Sequence, residues 1–382
     1  MIRSSLRTPS FRMLWLGQTI SIFGDRIFLI ALAITLVQSG RVVDLGLTLA
    51  TVAVTTVIAS PMAGVLGDRV PRRRLMLVAD CLRLIAVGAL AVSPALVPRW
   101  LLLLSACGLG VGDGLFSPAY AAILPRLVPL EVLQGANALN SISARVAAFS
   151  GPPIAVGLLA IAGVRFAFAV DAGSFAFSAM TLLGVCESRG ELNVPVGFGL
   201  KSLREGLREI TSRPWFGAVM LVSTLHMAVG VAAWSVLLPS IALNWLGGQA
   251  AYSAILVIFG VGAFFAAVTA GMWRPRRRGL VAMLWTYPFA ACLAALALRL
   301  PIWAVLPLAF AAGAGIEVLG IIWSTTVQTE IPDRALARVT SLDYAASGSL
   351  FPLGLALMGP AAATFGAPVV LGLAAIVVAA TA

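Results

Sequence analysis

The chain has 382 residues, of which 60% are hydrophobic and only 11% are charged, and its net charge is +11. Soluble globular proteins carry about 25% charged residues, so this chain has too few to cover a surface exposed to water. Its basic residues form no continuous patch, which argues against a nucleic-acid partner. Its four cysteines show no paired spacing that would indicate a disulfide framework or a zinc site.

Twelve apolar stretches are long enough to form membrane-spanning helices, each of which needs roughly 20 residues. They cover approximately residues 11–37, 44–66, 75–95, 100–124, 135–160, 165–186, 214–241, 249–272, 279–298, 301–325, 335–359 and 366–382. The first stretch is longer than the apolar region of a signal peptide, so we expect it to remain as the first span.

The predicted fold is therefore an all-α membrane protein with twelve transmembrane helices in two pseudo-symmetric six-helix bundles. Residues 1–186 form the first bundle and residues 214–382 the second. Between them, residues 187–213 form a cytoplasmic linker, for which a short amphipathic helix and a solvated linker with some helix are both open. The repeat is visible where Gly67 and Arg72–Arg74 are echoed by Gly271 and Arg276–Arg278.

The distribution of positive charge predicts the orientation. With the N-terminus inside, nineteen of the 26 basic residues fall in cytoplasmic segments, and four lie in external loops, namely Arg41, Arg99, Arg165 and Arg299. Because basic residues are enriched on the cytoplasmic side, we expect a multi-pass protein of the cytoplasmic (inner) membrane with both termini in the cytoplasm.

The first span contains two adjacent ionisable residues, Asp25 and Arg26. A charge at the bilayer centre costs at least about 2.5–3.5 kcal/mol, so such a residue is seldom kept without a partner or a function. Neighbouring residues of a helix point about 100° apart. We therefore expect one of the two to face a central cavity and the other to contact a neighbouring helix, and both are candidates for proton or substrate coupling.

Residues 64–74 connect the second and third spans and read Gly-Val-Leu-Gly-Asp-Arg-Val-Pro-Arg-Arg-Arg. Their charges place them at the membrane surface. The pattern Gly-x-Leu-x-Asp-Arg-x-x-Arg-Arg resembles the loop signature of the major facilitator superfamily. That resemblance implies an inside latch, meaning a loop that holds the outward-open state.

Each signature residue has an expected role in this latch. Gly64 allows close helix approach, Asp68 caps a cytoplasmic helix end, and Arg69, Arg72 and Arg73 pair with acidic groups or lipid phosphates. Simple anchoring by positive charge also explains the arginines. It does not explain Asp68.

Further ionisable residues lie within the later spans. Asp80 and Arg83 are three residues apart on one helix face and are expected to neutralise each other. Asp113 and Glu317 lie at nearly equivalent places in the two halves and are candidate proton carriers, although a buried hydrogen bond would also explain Glu317. Arg145 could neutralise either of them.

Three other residues are interpreted as structural or packing groups. Asp171 and Asp343 lie closer to span ends, and His226 is the only histidine of the chain. The small residues Gly313–Gly315 leave room beside Glu317 for either a ligand or a helix.

Several more segments carry a narrower resemblance. They are Phe-Arg-Met-Leu-Trp-Leu-Gly-Gln at 11–18, Phe-Gly-Asp-Arg at 23–26, Asp-Cys-Leu-Arg at 80–83, Phe-Ser-Pro-Ala at 116–119, Ala-Asn-Ala-Leu-Asn-Ser at 136–141 and Asp-Ala-Gly-Ser-Phe at 171–175. They resemble the branch of major facilitators that includes the enterobactin exporter and macrolide efflux proteins. Gly151-Pro152 matches the core of a motif of family antiporters, although the glycine pair that follows it is replaced.

The resemblance implies a secondary active transporter: a proton-coupled antiporter that exports amphipathic small molecules, such as drugs or siderophores, by alternating access. It implies protons, a small-molecule substrate and the lipid bilayer as partners, a monomer, and neither a cofactor nor a metal. Proton-coupled uptake of a small metabolite and a non-transporting membrane sensor are the alternatives. The sequence has no nucleotide-binding loop and no nucleophile–base arrangement, so an enzyme is not expected.

Overall fold

A computed structural model describes residues 6–67, 70–92, 97–186, 210, 212–270, 278–331, 339, 342–343, 346 and 348–382. Within these residues every regular element is a helix, and the predicted all-α membrane fold is confirmed. Most of the predicted linker, residues 187–213, lies outside the described residues, so its amphipathic helix stays a prediction.

The first half of the chain contains four separate helices and one long helical stretch. The four are α1 (Pro9–Gln38), α2 (Val42–Gly67), α3 (Arg72–Val92) and α4 (Arg99–Leu127), and the stretch is Leu130–Leu183. Gly163 breaks this stretch with φ 77° and ψ 175°, a conformation that is essentially open to glycine alone. The break divides it into α5 (residues 130–162) and α6 (residues 164–183).

The second half begins with α7, which combines Pro214–Leu225, a π-helical turn at His226–Val231, Ala232–Ile241 and a second π-helical turn at Ala242–Leu246. Then come α8 (Gly248–Ala270), α9 (Arg278–Leu284 and Tyr287–Ala297), α10 (Ile302–Glu330), α11 (Phe351–Phe365) and α12 (Ala367–Ala380). Proline lies in the first turn of α1, α7, α11 and α12, where its missing N–H costs no helical hydrogen bond.

Nine helices in the described part of the chain are long and apolar enough to cross a membrane. One of them, Gly135–Leu183, has 49 residues and is the stretch that Gly163 divides. The helices α11 and α12 have 15 and 14 residues, which is short for a crossing. The protein is therefore a multi-pass membrane protein, while the count of twelve spans stays a prediction.

The chain divides into two compact units, Met1–Glu191 (unit 1) and Leu192–Ala382 (unit 2). In unit 1, apolar side chains at the starts of α1 and α3 and the ends of α4 and α6 form one core, represented by Phe11, Leu75, Ile123 and Leu182. These helix ends meet because consecutive helices run in opposite directions, which brings the start of each odd-numbered helix beside the end of an even-numbered one.

Within each unit, glycines allow one pair of helices to approach closely: α2 and α4 in unit 1, and α8 and α10 in unit 2. In unit 1, Gly110 of α4 lies against the backbone of α2 at Val52. In unit 2, Gly313 of α10 lies against the carbonyl of Phe259 on α8, and Gly262 of α8 lies against the carbonyl of Phe310. Such contacts need small residues because the two backbones touch. The space at Gly313 is thus taken by a helix.

Hydrogen bonds and ion pairs connect helix ends on both sides of unit 1. At one end the buried carboxylate of Asp44 accepts hydrogen bonds from Arg41 Nε and Arg99 Nε, both at 2.6 Å, and Arg41 Nη1 also donates to the carbonyl of Val97 at 2.6 Å. At the other end Arg73 Nη1 donates to the carbonyl of Val185 at 3.2 Å. These bonds link α2 to α4 and α3 to the end of α6.

Candidate functional site

Arg83 lies at the centre of a buried ionic cluster in unit 1. Its side chain is 3% exposed, its Nη2 contacts Oδ1 of the fully buried Asp80, and its Nη1 donates to Oδ1 of Asp113 at 3.3 Å. Asp80 is one helical turn away on α3, whereas Asp113 lies on α4. The two branches of one guanidinium therefore join two helices, and Asp113, with 40% of its side chain exposed, is the more accessible of its two partners.

Two aromatic rings and a glycine also pack around the side chain of Arg83. The guanidinium carbon lies 4.4 Å from the ring centre of Phe116 on α4 and 4.5 Å from that of Phe175 on α6. Such ring faces attract a cation and exclude water from it. A side chain at Gly112 would collide with the Arg83 side chain, so the glycine before Asp113 makes room for the arginine that Asp113 binds.

Asp25 and Arg26 of α1 have different surroundings, as their helical spacing predicts. Asp25 is half-buried and interacts electrostatically with Asp113, Arg83 and Asp80 of the cluster, as well as with Arg26. Arg26 is exposed, and its Cβ lies where a side chain at Gly151 of α5 would have to go. The glycine of the partial antiporter motif is thus the place where α1 and α5 approach at Arg26.

Asp171 joins the same cluster, which the sequence analysis missed. It is fully buried about two turns after the start of α6, and it interacts electrostatically with Asp25, Arg83 and Asp113. Two sequence signals point to this contact. Gly24 precedes Asp25 on α1, and Ser174 follows Asp171 by about one turn on α6, so two small residues lie where the two helices meet.

The chemical capacity of the cluster follows from its charges. Two carboxyl groups, those of Asp80 and Asp113, contact the buried guanidinium of Arg83, and those of Asp25 and Asp171 interact with it electrostatically. Carboxylates that share a buried site repel each other, and desolvation penalises their charged form. Arg83, even together with the exposed Arg26 near Asp25, does not compensate four ionised carboxylates, so this arrangement is suited to bind protons.

Two further candidates for coupling are Glu317 and Arg145. Glu317 is half-buried on α10 of unit 2, and Arg145 is half-buried on α5. Arg83, 30 residues away in the chain, contacts Asp113, and the neutralisation of Asp113 or Glu317 by Arg145 stays a prediction. Glu317 follows Asp113 by 204 residues, and the same step from Asp80 and Arg83 leads to Leu284 and Tyr287. At these two positions the sequence of unit 2 therefore does not repeat the Asp80–Arg83 pair.

Two residues interpreted as packing groups have polar contacts in unit 2. His226, in the first π-helical turn of α7, has its Nε2 2.8 Å from the hydroxyl of Thr381. Trp323 Nε1 donates to Asp343 at 2.7 Å. Among the residues that the structure describes, no group of three or more His, Cys, Asp or Glu side chains is arranged to hold a metal ion.

The predicted latch is described only in part. Asp68 and Arg69 lie outside the described residues, whereas Gly64 lies near the end of α2 and Arg72 begins α3. Arg73 was expected to pair with an acidic group or a lipid phosphate. The structure shows its Nη1 donating to the carbonyl of Val185 after the end of α6, where the partial negative charge of a helix C-terminus favours a cation, and the expected pairing stays a prediction.

The chain matches the transmembrane secretion effector family over residues 3–382. The enterobactin exporter EntS of Shigella dysenteriae serotype 1 is 27% identical over 370 residues, which cover 93% of this chain and 86% of that protein. EntS of Citrobacter koseri is 26% identical with the same coverage.

Solved transporters show a similar fold. The nucleoside transporter NupG has a TM-score of 0.76 at 13% identity, with 97% of this chain and 98% of that chain covered. A POT family transporter in complex with 5-aminolevulinic acid has a TM-score of 0.75 at 14% identity, with 97% and 94% covered. At these identities the likeness concerns the fold alone. By its sequence along nearly its whole length, the chain belongs to the transmembrane secretion effectors of the major facilitator superfamily and is a transporter rather than an enzyme.

Proposed function

We propose that this transporter lies in the cytoplasmic membrane, with both termini inside, and exports an amphipathic small molecule, such as a siderophore or a drug, in exchange for protons. The observation that carries the proposal is the excess of carboxyl groups around the buried guanidinium of Arg83. An intramembrane group of this kind persists against its insertion cost where it has a function, and proton transfer is the function that an excess of carboxyls serves.

The members of the cluster have different roles in this mechanism. Asp80, fully buried against Arg83, holds the guanidinium in place. Asp113 is partly exposed and bound to Arg83 at 3.3 Å, so it exchanges protons with water. When a proton from water forms an O–H bond with Asp113, its attraction to Arg83 weakens. When the proton leaves on the cytoplasmic side, the carboxylate binds the guanidinium again. Asp25 interacts electrostatically with Asp113 and Arg83, so its own affinity for a proton changes when Asp113 gains or loses one.

The outward direction and the kind of cargo rest on the relatives. The family is described as one of secretion effectors, and the related proteins of Shigella and Citrobacter are named enterobactin exporters. Transport by alternating access and a latch formed by residues 64–74 belong to the same proposal. Glu317 and Arg145 are assigned to cargo binding in this proposal, because the step of 204 residues from Asp113 to Glu317 leads from Asp80 and Arg83 to Leu284 and Tyr287.

Accumulation of a fluorescent amphipathic dye in cells tests the proposal. Cells that express the protein should accumulate less dye, and a protonophore should abolish the difference. The substitutions Asp113→Asn and Asp25→Asn should each remove most of the export, whereas Glu330→Gln, which removes an exposed carboxyl of α10, should leave it unchanged. Export that is insensitive to the protonophore would contradict proton coupling, and export that survives both asparagine variants would exclude these two residues from it.

The direction of coupling needs a separate measurement. In proteoliposomes with an imposed pH gradient, an antiporter moves the dye against the flow of protons, whereas a symporter moves both in the same direction. We expect opposite movement, and dye that accumulates on the side to which protons flow would replace export with uptake.

A further inference from the structure

The contact between α1 and α6 brings two carboxyl-bearing segments together. Gly24 is buried, and a side chain there would collide with Oδ1 of Asp171 and with the hydroxyl of Ser174. The backbone of α1 therefore lies directly on Asp171, one residue before Asp25. No other residue type at position 24 would permit this approach.

Asp171 lacks the partners that a buried carboxylate needs. Its Oδ2 is buried without a hydrogen-bond partner among the described residues, and within the same residues no cation forms an ion pair with it. The charged groups that face it are Asp25 from α1, Arg83 from α3 and Asp113 from α4, and of these the carboxyl of Asp25 interacts most strongly. Asp25 in turn faces Asp113, Arg83, Arg26 and Asp80.

The hydroxyl of Ser174 indicates where a proton would reside. It donates its hydrogen to the main-chain carbonyl of Asp171 at 2.7 Å, and its oxygen lies 3.3 Å from Oδ1 of the Asp171 side chain. A hydroxyl has one hydrogen and two acceptor sites. With its hydrogen on the carbonyl, the oxygen of Ser174 is free to accept a hydrogen bond from a protonated Asp171.

We propose that Asp25 and Asp171 form a carboxyl pair that binds one proton, with Asp171 protonated and Asp25 ionised. This pair is a second proton-binding site next to Arg83 and its partner Asp113. The proton comes from water and forms an O–H bond with Asp171, and this O–H group donates a hydrogen bond to the oxygen of Ser174. The inference rests on the proposed function, since it is in a proton-coupled cycle that this site would load and release its proton.

Infrared spectroscopy of the purified protein in lipid tests the pair without any transport. At neutral pH the wild-type protein should show the C=O stretch of a protonated, buried carboxylic acid. Asp171→Asn should remove this band, Asp25→Asn should weaken it because the neighbouring negative charge no longer holds the proton, and Glu330→Gln should leave it intact. A band that persists in Asp171→Asn, or one that is unchanged in Asp25→Asn, would overturn the proposal.

Thermal unfolding of the same samples gives a second readout. If Asp171 is neutral, Asp171→Asn should leave the unfolding temperature close to that of the wild type, whereas Asp80→Asn should lower it because Asp80 is the ionised partner of Arg83. Equal losses for both variants would mean that position 171 needs a negative charge, which contradicts the pair. Export that is insensitive to the proton gradient would refute the proposed function alone, because neither of these measurements involves transport.

Discussion

Arg83 is the residue on which the organisation of unit 1 depends most. Its guanidinium binds carboxylates of α3 and α4 and lies against rings of α4 and α6. Arginine suits this position because its planar fork offers separate donors to two acceptors, whereas a lysine offers a single point charge. The same residue thus holds three helices together and sets the charge balance of the carboxyl cluster.

Removal of this guanidinium should destabilise the protein strongly. Arg83→Met leaves the carboxylate of Asp80 buried without a cation, and the loss of one partner of a buried ion pair costs about 3–5 kcal/mol. Arg26→Met, which removes an exposed guanidinium, should cost much less. Chemical unfolding of the purified variants measures both free energies.

A second variant separates charge from packing. Adding Asp80→Asn to Arg83→Met removes the uncompensated charge, so the double variant should regain part of the lost stability. If the double variant is less stable than Arg83→Met alone, the loss comes from packing against Phe116 and Phe175 rather than from the charge of Asp80.

The sequence predicts the local part of this site and misses the long-range part. Asp80 and Arg83 are one helical turn apart, so their contact follows from the helix alone. The contact of Arg83 with Asp113 joins residues 30 positions apart and depends on how α3 and α4 pack, which helical spacing does not encode. For the same reason Asp171 was interpreted as a structural residue of a span end.

At the scale of the helices, direct contact between backbones is what positions neighbouring elements. Gly262 and Gly313 form a reciprocal contact, in which each lies on a main-chain carbonyl of the other helix. The backbone gives way less readily than a side chain, so even a methyl group at these positions must push α8 and α10 apart.

Gly313→Ala should therefore destabilise unit 2, by about 1–3 kcal/mol, the usual cost of overpacking. Gly320 offers a matched control on the same helix, because a Cβ there would meet no atom within 4 Å. Gly320→Ala should be neutral or slightly stabilising, since alanine favours helix more than glycine does. Thermal unfolding of the two variants compares them directly, and equal effects would contradict the close contact.

The positions of most helices follow from hydropathy, whereas their internal irregularities do not. The third span was predicted at 75–95 and lies at Arg72–Val92, and the tenth was predicted at 301–325 and lies at Ile302–Glu330. The π-helical turns of α7 were not predicted, because apolar length determines that a helix crosses the bilayer and not which carbonyl each N–H binds. Gly230 lies within the turn His226–Val231, but glycine is also frequent in regular membrane helices, so it does not predict a π-helical turn.

At the scale of the whole molecule, the ionisable residues are distributed unevenly between the halves of the repeat. Unit 1 contains the cluster around Arg83, whereas the corresponding positions of unit 2 are Leu284 and Tyr287. The charge distribution in the loops also predicts an orientation, with the N-terminus inside. Under that orientation the turn after α1 faces outward and the end of α6 faces the cytoplasm.

Thiol labelling in intact cells tests this orientation. Cys186, at the end of α6, and Ser39, which follows α1, are both exposed. In a background without Cys81, Cys107 and Cys292, a membrane-impermeant maleimide should label Cys186 only after the membrane is opened. With Cys186 also removed, Ser39→Cys should be labelled in intact cells. The opposite pattern would invert the topology and, with it, the predicted location of both termini.

The reversal at Gly163 restricts how this protein can be altered or probed. The chain turns from α5 into α6 through one residue with φ 77° and ψ 175°, so at that point the molecule offers no surface loop to a protease or an antibody. A peptide tag inserted there would have to unwind the adjoining helical turns, and any side chain in place of the glycine would oppose the hairpin itself. Epitopes and reporter domains therefore belong at the turn after α1 instead, where Gly40 has open space around it.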